Sequence, residues 1–164
     1  SIQPGIAEWS AYQKFCFDLC SLILSPPLAK PLYEVFNKQE NNRRDILIPN
    51  YATQGFWQYM RDQYRADIVL VDSKNSATGP KKKDLLQVSN YLKEYGLGLF
   101  GLIFGRQTEE SGATHARWEH WVEQRKMIIF LDDRDVRQML TLWQNNSDPA
   151  VVIRKKIEDF RILI

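Results

Sequence analysis

Apolar and polar positions recur along this chain with two periods, and the switches between them mark out the elements. From 6 to 24 the spacing is helical, with Ile6, Trp9, Cys16, Leu19, Cys20 and Ile23 on one stripe. Ser25-Pro26-Pro27 ends that helix, because consecutive prolines supply no N–H to continue it. Residues 32–36 form a short apolar run, 37–42 a polar turn and 45–48 a second run, which together predict a β-hairpin. The aromatic-rich stretch 51–64 is expected to be helical in part, over 56–63. The clearest strand is 66–74, whose Ile68-Val69-Leu70-Val71 run between polar residues suits a central strand buried on both faces.

Gly79-Pro80 is expected to open the next helix, with Leu85, Val88, Leu92 and Tyr95 inward and Gly96 as its C-terminal cap. Residues 99–104 read as another buried strand. Thr108 is the expected cap of a helix reaching about Gln124, with Glu109 and Glu110 in its first turn, where the helix dipole favours acids. A strand at 127–131 follows, then a helix over 133–143 with Val136, Met139, Leu140 and Trp143 inward. Asp148-Pro149 starts a last helix carrying Val152, Ile153, Ile157 and Phe160. The order α, β, β, β, α, β, α, β, α, α predicts an α/β domain with a mixed central β-sheet flanked by helices.

The size, 164 residues, fits one domain over 1–164 with a real core, and the missing methionine before Ser1 suggests a piece of a longer protein. The chain has no 18-residue apolar run, so no membrane span is expected. Cys16 and Cys20 are read as reduced core thiols of a cytoplasmic protein. A net charge of +2 is too small to advertise a nucleic-acid partner, so any such footprint must be local.

Chemistry enters at the end of the apolar strand. Side chains alternate along a strand, so Asp72 and Lys74 project to one side, about 7 Å apart along it. The Ser73 carbonyl oxygen stays beside them, and Asp45 joins if its strand pairs antiparallel. Two carboxylates and a carbonyl oxygen form a hard-oxygen site suited to Mg²⁺, or Mn²⁺. The plainer reading is that Asp72 and Lys74 pair with each other and solvate a strand end.

With Arg43-Arg44-Asp45-Ile46, the run from Ile68 through Asp72-Ser73-Lys74 to Asn75, the helix bearing Gln87 and the strand ending at Gly105-Arg106, the chain resembles the PD-(D/E)xK, or restriction endonuclease-like, superfamily. The likeness covers roughly Pro4 to Arg106 and implies a restriction endonuclease-like core. Its first acid corresponds to Asp45, its (D/E)xK to Asp72 and Lys74, and its helix glutamine to Gln87. Arg44 stands where the family often has proline, and Asp72 where glutamate is more frequent. Some relatives add an acid on the first helix, for which Glu8 is the candidate. The resemblance implies a metal-dependent endonuclease acting on nucleic acid, DNA in the first place, as the effector of a bacterial restriction or antiviral defence protein. The alternative is an inactive nuclease-like module that binds nucleic acid or a protein partner. Double-strand cleavage would call for a homo-oligomer.

Lys81, Lys82 and Lys83 at a helix start oppose its dipole, and a phosphate there would relieve the conflict. Arg43, Arg44 and Arg106 could extend that patch with backbone contacts that position without reading sequence. His115 and His120 are five apart, off the spacing that places two ligands on one helix face, and read as packing residues. The aromatics Tyr51, Phe56, Trp57, Tyr59 and Tyr64 are expected to cover the sheet.

Overall fold

A computed structural model describes residues 2–33 and 45–163. A 3₁₀ turn at Ile6–Glu8 leads into α1 (Trp9–Ile23), followed by β1 (Leu32–Tyr33), β2 (Ile46–Pro49), α2 (Gly55–Tyr64) and β3 (Ile68–Lys74). Then come α3 (Lys82–Tyr91), β4 (Phe100–Gly105), α4 (Ser111–Gln124), β5 (Met127–Leu131), α5 (Asp133–Gln144) and α6 (Ala150–Ile162). The strands form one mixed sheet in the order β1-β2-β3-β4-β5. β1, β2 and β3 are an antiparallel meander, whereas β4 and β5 run parallel to β3 and are reached through α3 and α4.

Alternation along the strands divides the core in two. Val69, Val71, Leu102 and Ile129 face the side covered by α1, α2, α5 and α6. Leu70, Ile103, Ile128 and Phe130 face α3 and α4. The sheet is therefore covered by helices on both faces, and β4 and β5 are buried along their whole length. That explains their unbroken apolar sequence. Gly101 lets α3 lie close on β4, since a Cβ there would stand 2.9 Å from Val88 Cγ1.

Several sequence expectations shift. The first helix begins later than predicted, and Ile6, in the preceding 3₁₀ turn, is 96% exposed. Tyr12 and Gln13 join the buried stripe instead. The helix expected over 56–63 does form, as α2, and separates β2 from β3. Pro80 precedes α3, whose N-cap is Lys81, and α3 ends at Tyr91 because Leu92 is already extended. Tyr95 is consequently exposed, and Gly96 caps nothing. The sharp backbone position there is Gly98, at φ 89°, where a Cβ would meet the Arg65 carbonyl oxygen. α4 is preceded by Glu110 as N-cap, so neither acid lies in its first turn. Thr108 Oγ1 turns instead to Asp132 Oδ2 at 3.2 Å, and Glu109 pairs with the largely buried Arg117 at 3.2 Å. Trp143 is 40% exposed and leaves the inward face of α5, whose Leu140 and Leu142 pack against the core. The remainder of the predicted strand 32–36 and the turn 37–42 lie outside the described residues.

The cysteines are core thiols as expected: both are free and buried, and burial pushes Cys20 up to about 12, so it stays protonated. Among the described residues, no helix is long and apolar enough to cross a membrane.

Candidate active site

The site grows out of the β2–β3 pairing. Ile46 lies opposite Val71 and Leu47 opposite Leu70, antiparallel. Continued one step beyond the strand, that register would set Asp45 across from Asp72 on the same face, where opposed Cβ atoms stand roughly 5 Å apart. Both are buried, at 5% and 7% exposure. With Ser73, Lys74 and Gln87 they line one polar cleft of about 160 Å³ at the C-terminal end of β3. The strand-end position is where open α/β sheets commonly receive ligands, because backbone and side-chain polar groups there escape the core. α1 supplies the remaining wall through Trp9 and Gln13.

Lys74 is held by three oxygens. Its Nζ lies 2.8 Å from Asp72 Oδ2, 3.2 Å from Gln87 Oε1 and 3.8 Å from Asp84 Oδ1. The contact with Asp72 is an ion pair by distance but outside hydrogen-bond geometry, leaving Asp72 Oδ2 without a hydrogen-bond donor. Burial pushes the Asp72 carboxyl above the usual aspartate range, and Asp84 adds to this. The Lys74 charge and the Ser73 backbone pull the other way without cancelling it.

The other sequence candidates scatter. Glu8 does not line the cleft, and its carboxylate accepts the Gln3 N–H at 2.7 Å. From α1 the cleft receives Gln13 rather than an acid. Arg106 stands apart from the cleft. Its guanidinium donates to Asp133 at 3.0 Å, to the Ile2 carbonyl at 2.9 Å and to Asn75 Oδ1 at 3.0 Å, and lies over the Tyr12 ring. It thus braces the N-terminal segment. Arg43 and Arg44 lie outside the described residues.

At the start of α3 the dipole conflict is resolved internally, since the Asp84 carboxylate accepts the Lys81 N–H at 2.8 Å. Lys81 and Lys83 line a second groove beside the cleft, with Trp9, Lys74, Asn75, Ser76, Gly79 and Asp84. Lys82 is exposed but not on it. His120 packs α4 on α3 through its Nδ1, 2.7 Å from Ser89 Oγ, while His115 pairs with Glu119 on the surface. Trp57 and Tyr64 are buried as expected, but Tyr51 is 73% exposed and Tyr59 41%.

Sequence reading missed Trp9 and Gln13. Trp9 matched the apolar stripe and so passed for core. Gln13 was the detectable signal, a polar residue four positions on in phase with the apolar stripe, and the structure leaves it only 8% exposed.

Comparisons with protein-family models, with curated proteins and with solved structures each find no match to this chain.

Proposed function

We propose that this chain is a divalent-metal-dependent nuclease domain with a restriction endonuclease-like core, hydrolysing phosphodiester bonds of nucleic acid, DNA in the first place. The observation that carries the reading is the convergence of Asp45, Asp72, Ser73, Lys74 and Gln87 on one polar cleft from three separate stretches of sequence. The succession of α1, an antiparallel meander, α3 and parallel β4 supports the assignment of the core.

The donor set fits a hard cation such as Mg²⁺ or Mn²⁺: two buried carboxylates facing each other across neighbouring strands, with the Ser73 backbone alongside. Among the described residues no group of three His, Cys, Asp or Glu gathers for a metal, so water and phosphate oxygens would complete the shell, as is usual for Mg²⁺. Such an ion, when bound, neutralises phosphate charge and acidifies a water. Asp45 and Asp72 would hold it. Lys74, steered by Gln87 Oε1, would turn its ammonium toward the phosphate and steady the charge that builds during attack. Gln87 is a positioning residue in this scheme.

A second reading is favoured by the 2.8 Å closure of Lys74 on Asp72, which can be a purely structural pair. The chain would then be a binding module. Plasmid incubated with the protein and Mg²⁺ or Mn²⁺ separates the two. The wild type is expected to cleave, with Asp72→Ala and Lys74→Ala about 100-fold slower or worse. Equal cleavage by all three refutes the nuclease reading, and salt-sensitive binding without cleavage establishes the second.

A further inference from the structure

The cleft does not end at Lys74. Trp9 and Lys74 belong both to it and to the adjoining groove of about 240 Å³ along which Lys81 and Lys83 stand. The backbone beside the groove, at Gly79 and Pro80, is tightly packed. A Cβ on Gly79 would run into the Thr108 carbonyl oxygen at 1.7 Å, and one on Gly105 would touch the Pro80 ring at 2.8 Å. The Glu110 N–H also donates to the Pro80 carbonyl at 3.0 Å. Asn75 is likewise committed, its amide donating to the Gln3 and Gly5 carbonyls at 2.9 Å. Lys81 makes only a 3.7 Å surface pair with Glu110, half exposed on both sides, which an incoming phosphate can displace. A partly exposed indole at the junction and two exposed lysines lining the groove are the elements of a single-strand track: cations follow the backbone and an aromatic face receives a base.

We infer that the groove lined by Trp9, Lys81 and Lys83 binds an unpaired nucleotide next to the cleavage position, so that the preferred substrate is single-stranded or locally melted nucleic acid. This rests on the nuclease reading for its orientation toward the cleft, but not for the binding itself. The lysines alone would serve a duplex equally, since they meet only phosphate. Trp9 makes the difference, because a duplex keeps its bases stacked on one another and offers no face to an indole.

The test is anisotropy of a fluorescein-labelled single-stranded DNA and its duplex in EDTA, where binding is read without cleavage. The single strand is expected to bind about tenfold more tightly than the duplex. Trp9→Ala should lose about tenfold on the single strand alone, and Trp9→Phe should recover most of it. Lys81→Gln and Lys83→Gln should each lower the salt slope by about 0.7. Circular dichroism melting of Trp9→Ala guards against simple unfolding, and the Phe variant gives a second measure. Tighter binding to duplex, or affinity indifferent to Trp9, overturns the inference even if plasmid is cut. The expected pattern in a protein that cuts nothing upholds the inference and removes the nuclease reading.

Discussion

Replacing Asp72 by asparagine should make the protein more stable at neutral pH while abolishing any chemistry at the cleft. The side chain is 9% exposed, and burial raises its carboxyl above the normal value of 3.8, so the folded state binds a proton more readily than the unfolded chain. Stability from this group is therefore complete below pH 3.8 and is lost as pH rises through the raised native value. An asparagine side chain would keep the shape without ionising. The opposing loss is the Lys74 contact at 2.8 Å. Breaking a fully buried pair would cost about 3–5 kcal/mol. Lys74, however, is 20% exposed and retains Gln87 Oε1 at 3.2 Å and Asp84 Oδ1 at 3.8 Å, so its charge is not stranded. The balance is a gain of about 1 kcal/mol at pH 7, within the range for relieving a functional site. For a chain of this length that raises Tm by about 2–4 °C. Thermal melts of both proteins from pH 3.5 to 8 provide the assay. The difference should be near zero at the acid end and open as pH rises. A variant that melts several degrees below the wild type at pH 7, or a difference that ignores pH, refutes the reasoning.

Two further outcomes follow from the packing. Asp132 is the N-cap of α5, accepting the N–H groups of Arg134 and Asp135. Burial alone would raise its carboxyl, but those bonds and the Arg134 side chain hold it down to about 2. Asp132→Ala should cost about 1–2 kcal/mol in urea unfolding at pH 7. Because the group is depressed, that contribution is present above pH 3.8 and disappears as pH falls toward about 2, and a penalty unchanged at low pH would contradict this. Gly101→Ala should destabilise by about 1–3 kcal/mol, since the new methyl meets a stiff buried Val88 at 2.9 Å. Adding Val88→Ala should recover part of that loss in a double-mutant cycle, and strictly additive penalties would show that the two side chains do not collide.

What the sequence determined by itself is whatever local covalent geometry dictates. Alternation puts Asp72 and Lys74 on one face, and the unbroken apolar runs mark β3 and β4 to within a residue or two and β5 at its observed bounds. The same local logic placed α6 and its inward residues. Tertiary structure decided the rest. Asp45 reaches Asp72 only through antiparallel pairing of β2 and β3, a non-local choice the hairpin pattern suggested but could not impose. Trp9 and Gln13 become cleft residues because the start of α1 passes the end of β3, although their own helix gives them the same phase as core positions. Arg106, equally basic in the sequence, is consumed by Asp133, Asn75 and the Ile2 carbonyl, whereas Lys81 and Lys83 stand along a groove. Charge and periodicity are properties of a residue and its near neighbours. Which polar group meets which partner is set by packing across long stretches of chain, and the cleft at the end of β3 is made of such meetings.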